Sequence, residues 1–111
     1  FEEGREAFGQ KYGLSYLDVQ REGYATPIVK SLCEHKKMVQ YGEQLRVETH
    51  YMLTSVAKLV FRYFLYNEAD ELVCTGETVQ VFTSLADNSL ALYPPPFYEK
   101  WKNKMKDFFL N

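Results

Sequence analysis

No run of apolar residues in this 111-residue chain is long enough to cross a bilayer as a helix, and no signal-peptide pattern occurs within it. An excess of one charge is missing as well: 13 Lys and Arg stand against 15 Asp and Glu, a formal net charge of -2. That balance gives no electrostatic reason to expect nucleic acid or a membrane surface as a partner. Cysteine is scarce. Cys33 and Cys74 stand in no metal-type spacing, and the two histidines, His35 and His50, have no ligand pattern around them, so no metal site is expected. Small secreted domains usually carry several disulfides, so two isolated cysteines suit a reducing, cytoplasmic setting. The phosphate-cradling glycine loop, the GxSxG nucleophile elbow and the paired-glycine dinucleotide fingerprint are all absent.

Aromatic side chains are plentiful: nine Tyr, eight Phe and one Trp make up 16% of the chain, which favours a sheet-rich fold with half-buried faces. The length supports one hydrophobic core and not two. Phe1, Arg5, Phe8 and Tyr12 recur at helical spacing, so an amphipathic helix is already running at residue 1. Gly4 and Gly9 lie inside it, and because helical Gly costs roughly 1 kcal/mol against Ala, both are expected where the sheet comes close. Ser15 offers an N-cap to a short second helix that Gly23 ends.

The period then changes to alternation. Four strands are predicted in TPIVKSLCEHKK, QLRVETHYML, AKLVFRYFLYN and ELVCTGETVQVF, the first starting at Pro27. Leu45, Val47, Leu59, Phe61, Tyr63 and Leu65 are expected to face the first helix, with Arg46 and Arg62 turned away. NEAD reads as a hairpin turn, and Gly76 as a bulge or a close approach by another backbone or a ligand. TSLADNSLALYPPP reads as a loop. A last helix follows, with Phe97, Trp101, Met105 and Phe108 on one stripe and lysines on the rest. The order implies an α+β architecture, an antiparallel sheet wrapped on the first helix; a cone-shaped NTF2-like sheet is the alternative.

Few residues propose chemistry by themselves. Cys33 and His35, two apart on a strand, share a face and could form a thiolate and base, but no third group orients the imidazole, and a small core cysteine is the plainer reading. His50 falls on a polar face. Glu2 and Glu3 suit a helix N-terminus electrostatically, or a carboxylate at the mouth of a site.

Five short motifs in one order resemble the hot-dog fold thioesterases, in particular the branch of 4-hydroxybenzoyl-CoA thioesterase and the Tol-Pal-associated acyl-CoA thioesterases. F-E-x-x-R is Phe1, Glu2 and Arg5; a GLS step is Gly13, Leu14 and Ser15; a T-P-V-V step is Thr26, Pro27, Ile28 and Val29. A turn of the type Y-G-D-x-L is Tyr41, Gly42, Glu43, Gln44 and Leu45, with Glu for Asp, and G-x-T-x-x-V is Gly76, Thr78 and Val81.

The resemblance implies one hot-dog domain over residues 1–111 with an additional C-terminal helix, hydrolysing a CoA thioester without a further cofactor. It implies a homodimer, or a dimer of dimers. It also places a first strand and an Asp-bearing catalytic loop ahead of F-E-x-x-R, so the 111 residues are expected to lack both. Glu2 is then the carboxylate nearest the reaction, and a structural role, paired with Arg5 or held at the helix start, is set ahead of a chemical one. Thr26, Pro27 and Thr78 are the implied acyl-side contacts, and Thr54, Ser55 and Lys58 the implied CoA-phosphate contacts. The alternative is a non-catalytic hot-dog domain that binds an acyl ligand or dimerises.

Overall fold

The computed structural model describes residues 1–110, with side chains to residue 106; Phe108, on the expected stripe, lies outside the described side chains. The elements run α1 (Glu2–Tyr12), α2 (Tyr16–Arg21), β1 (Tyr24–Ala25), β2 (Ile28–His35), β3 (Arg46–Met52), β4 (Lys58–Tyr66), β5 (Leu72–Val81), β6 (Thr83–Ser84) and α3 (Pro96–Leu110). The four long strands form one antiparallel sheet in the order β2-β5-β4-β3, and β1 pairs with β6 in a second, two-stranded sheet. The fold class is the expected α+β hot-dog arrangement.

Local chemistry sets the boundaries. Gly13 ends α1 in the left-handed region at φ 79°. Ser15 and Asp18 form a reciprocal capping box: Ser15 Oγ accepts from the Asp18 amide at 3.2 Å, and the Ser15 amide donates to Asp18 Oδ2 at 2.9 Å. The Ser15 amide and the Ser15 hydroxyl, which also donates to Asp18 Oδ2 at 2.8 Å, favour the charged carboxylate and lower the Asp18 pKa. In the β4–β5 hairpin, Asn67 Oδ1 accepts from the amides of Ala69 at 3.0 Å and Glu71 at 2.9 Å, so the side chain closes the turn.

The register is the expected one. Tyr51 pairs with Phe61, Thr49 with Tyr63 and Val47 with Leu65, so these side chains share the helix-facing side. Arg62 lies on the other face, bonded to Glu77 at 3.2 Å, and Arg46 bonds Glu48 there at 2.6 Å. Phe8 of α1 sits over this sheet, edge-on to Phe61 at 5.3 Å between ring centres. α3 closes the core from another side: Trp101 Nε1 donates to the Tyr12 carbonyl at 2.7 Å, tying the last helix to the end of the first.

Several expectations change. Gly4 does lie against the sheet, since a Cβ there would collide with Thr49 Oγ1. Gly9 does not: a Cβ would stand 2.6 Å from the Leu14 carbonyl, so it is the chain returning into α2 that demands glycine. Gly76 is in regular register, opposite Cys33 and Tyr63, and is no bulge; the Phe1 ring occupies the space a side chain would take and stacks on Tyr63 at 4.4 Å. Leu45 falls outside β3 and Val47 near its end, both more than two-fifths exposed, so neither is core. Part of the expected loop is β6. Lys102 is not on a solvated face: it is buried, donating to the Thr54 carbonyl at 3.0 Å and pairing with Glu99 at 2.8 Å over the Tyr98 ring. Its aliphatic stem packs while its ammonium finds partners.

Candidate functional site

An open groove of about 810 Å³ runs between the first turns of α1 and the junction of β1 with β2. Glu2, Glu3, Arg5 and Glu6 form one rim, Thr26, Pro27 and Ile28 the other, and Leu59, Phe61 and Gln80 the floor. The Thr26–Pro27 step falls between strands because proline has no amide to give a ladder. It is pinned from below: Gln80 Nε2 donates to the Thr26 carbonyl at 2.6 Å, and the Val81 amide to the Pro27 carbonyl at 3.1 Å. Glu6 Oε1 accepts from the Tyr16 amide at 3.1 Å and fixes α2 beside the rim.

Three of the nominated residues therefore meet. Glu2, from α1, and Thr26 and Pro27, from a segment more than 20 positions later, line one cavity. No Glu2–Arg5 ion pair forms among the described residues; the Arg5 guanidinium instead lies near the Tyr63 hydroxyl, where it lowers a pKa that burial has raised.

The remaining nominated residues lie elsewhere. Thr78 is buried on the same face of the sheet, opposite Phe61 but outside the groove lining, its hydroxyl 2.8 Å from that of Tyr63. Thr54, Ser55 and Lys58 sit at the β3–β4 turn, outside the groove lining; Thr54 Oγ1 accepts from the Val56 amide at 3.2 Å, while Ser55 and Lys58 are exposed. His50 is a surface residue, 3.2 Å from Glu48 Oε1.

Gln80 and Arg5 were not among the sequence candidates. Gln80 carried a usable signal, a polar side chain in phase with Gly76 and Thr78 on the face that alternation turns inward. Tyr51 and Tyr98 are a further buried polar pair, hydroxyl to hydroxyl at 2.5 Å, with Tyr98 donating to the Lys58 carbonyl at 3.1 Å. Burial pushes Tyr51 up to about 12 and raises Tyr98 further, so both stay neutral at physiological pH.

The groove combines a floor that is apolar at Leu59 and Phe61, with the Gln80 amide engaged by the Thr26 carbonyl, and carboxylates at its mouth. Such a site holds an uncharged chain or ring and can take a proton from water at the rim. Three glutamates against one arginine disfavour a phosphate there.

A model of the thioesterase-like superfamily matches residues 1–101. A putative acyl-CoA thioesterase of Bacillus subtilis, YneP, is 35% identical over 71 residues, which are 64% of this chain and 51% of that protein. The chain thus spans about half the length of the curated relative it matches. Among solved structures, a DHNA-CoA thioesterase from Staphylococcus aureus superposes with a TM-score of 0.81 at 26% identity, over 97% of this chain and 74% of that one. A second Staphylococcus aureus protein, solved in complex with CoA, gives 0.76 at 15% identity over 96% and 65%, a likeness of fold.

Proposed function

Because the chain belongs to the thioesterase-like superfamily, whose model covers residues 1–101, we propose that it hydrolyses the thioester of an acyl-CoA to free acid and CoA. The observation that carries this reading is the meeting of Glu2, Thr26 and Pro27 on one groove with an apolar floor. The acyl group lies over Leu59 and Phe61. Water adds to the thioester carbonyl while Glu2 takes its proton; amides of the first turn of α1, which have no partner within the helix, donate to the developing oxyanion. The C–S bond then breaks, and the CoA thiolate leaves with the proton. No cofactor is needed for these steps.

The acidic rim directs the CoA phosphates outward, toward Thr54, Ser55 and Lys58; Lys58 directly precedes the floor residue Leu59. Within the superfamily we place the chain in the branch of 4-hydroxybenzoyl-CoA and Tol-Pal-associated thioesterases on its five ordered motifs, and its reaction in the cytoplasm. The described helices support no membrane span: none is long and apolar enough to cross one. We also propose a homodimer joined along β2. This strand is an edge of the sheet with all eight residues exposed, including the apolar Ile28, Val29 and Leu32, and an unpaired apolar edge invites another strand.

The test is free-thiol release from hydroxybenzoyl-, octanoyl- and oleoyl-CoA, with sedimentation alongside. Turnover is expected, with Glu2→Gln lowering kcat by about 10² or more and leaving KM close to unchanged. Tight binding of every substrate without turnover would favour the non-catalytic acyl-binding domain. Full turnover by Glu2→Gln would remove Glu2 as the base, and a monomer would remove the β2 contact.

A further inference from the structure

Cys33, His35 and Cys74 are brought to one point by the register of β2 and β5. Cys33 lies opposite Gly76 and His35 opposite Cys74, so the three side chains stand on the same face of the sheet, two on one strand and one on the next, directly across from His35 and diagonal to Cys33. Their ligand atoms all fall within 4.8 Å of one another: Cys33 Sγ is 3.3 Å from Cys74 Sγ and 3.7 Å from His35 Nε2. Both cysteines are free thiols. Gly76 contributes no side chain between them, and the Phe1 ring fills that space as an apolar wall.

We propose that these three residues form a binding site for a divalent cation of the zinc class. Two sulfurs and one imidazole are the donors that borderline-soft metals prefer. The spacing matches as well. Zinc–sulfur bonds of about 2.3 Å and zinc–nitrogen bonds of about 2.0–2.1 Å in a tetrahedron put two sulfurs about 3.8 Å apart and a sulfur about 3.6 Å from the nitrogen. The observed 3.7 Å lies close to its value, the 3.3 Å between the sulfurs is about half an ångström short, and all three atoms fall within 4.8 Å of one another, so side-chain rotation has to part the sulfurs and bring the imidazole toward Cys74. Binding deprotonates both thiols, and two thiolates neutralise the dication at this partly exposed edge. Three protein ligands leave the fourth position to water or to a group from a partner.

The site is separate from the groove. Ile28 lines the groove and Cys33 lies five positions further along β2, which is about 17 Å at the rise of a strand. The Phe1 ring, one residue before Glu2, is the element the two sites share, and metal binding is read without reference to turnover. Packing alone accounts for Cys74, which is buried, but not for Cys33 and His35, which are exposed and converge on it.

The experiment titrates tag-free, metal-stripped, full chain with Co²⁺ under a non-thiol reductant, reading the thiolate-to-cobalt charge-transfer band and the ligand-field bands. Saturation at one Co²⁺ per chain, with intense tetrahedral-type bands that one equivalent of Zn²⁺ abolishes, is the expected result. Cys33→Ser should remove most of the charge-transfer intensity, and His35→Ala should weaken binding at least tenfold. Both residues are exposed, so these variants are expected to keep the fold, which their Tm without metal verifies. A rise in Tm with Zn²⁺ that Cys33→Ser lacks would agree. Absence of a charge-transfer band, an unchanged band in Cys33→Ser, or two thiols that oxidise to a disulfide on removal of reductant and bind no Co²⁺ in its presence would each overturn the proposal.

Discussion

Replacing Thr78 by Val separates a supporting residue from a substrate contact. Tyr63 is completely buried, and its hydroxyl lies 2.8 Å from Thr78 Oγ1. Among the described residues Arg5 is the other polar group acting on that hydroxyl, and a guanidinium can only donate, so the Tyr63 proton goes to Thr78. Val keeps the shape and removes the acceptor. A buried donor stranded in this way costs about 1–3 kcal/mol. With an unfolding entropy of about 2.1 cal/mol/K per residue, 111 residues give about 0.23 kcal/mol/K, so Tm should fall by about 4–13 °C. Tyr63→Phe should cost a similar amount, because it strands the buried Thr78 hydroxyl in turn. The double variant should be no less stable than Thr78→Val, since both polar partners are gone. Calorimetry gives the stabilities, and free-thiol release gives KM for acyl-CoA. A Tm within about 2 °C of the parent together with a raised KM would refute the reasoning and make Thr78 a substrate contact.

Two further outcomes follow from the same core. Gly76→Ala should displace the Phe1 ring from Tyr63 and destabilise by about 1–3 kcal/mol, visible in chemical denaturation; an unchanged midpoint would mean that the ring yields freely. Stability should also fall as pH rises from about 10 through 12. Burial holds Tyr51 protonated to about 12 in the folded chain while the unfolded chain releases its proton near 10, so alkali favours unfolding across that window, and Tyr51→Phe should flatten the decline.

The helices, the four long strands and their inward faces were legible because each rests on a local period. Tyr51, Phe61 and Tyr63 fall in the same alternating phase as Leu59, against Arg46, Glu48, His50 and Arg62 in the other, and a one-residue slip would turn them out. The capping box at Ser15 and the turn at Asn67 are equally local, since their partners lie within four residues. Gly9 illustrates the limit: a glycine inside a helix announces a close approach but not what approaches, and here it is the chain's own return at Leu14. Lys102 was misplaced for a related reason. Helical spacing shows which residues share a face, whereas its acceptor, the Thr54 carbonyl, lies 48 positions away.

The motifs carried the family and nominated Glu2, Thr26 and Pro27, but the groove joining them depends on how α1 and the β1–β2 junction settle against the sheet. The short β1–β6 pairing was invisible because two-residue strands have no measurable period. The sharpest contrast is the cysteine pair. By spacing alone, Cys33 and Cys74 are unrelated, 41 residues apart with no ligand pattern between them. The sequence by itself determined that each would lie in a strand, through local alternation. Only the tertiary structure decided that they would be neighbours, because the β2-β5 pairing brings distant segments into one ladder and sets Cys74 opposite His35 and diagonal to Cys33, with the two cysteine sulfurs 3.3 Å apart.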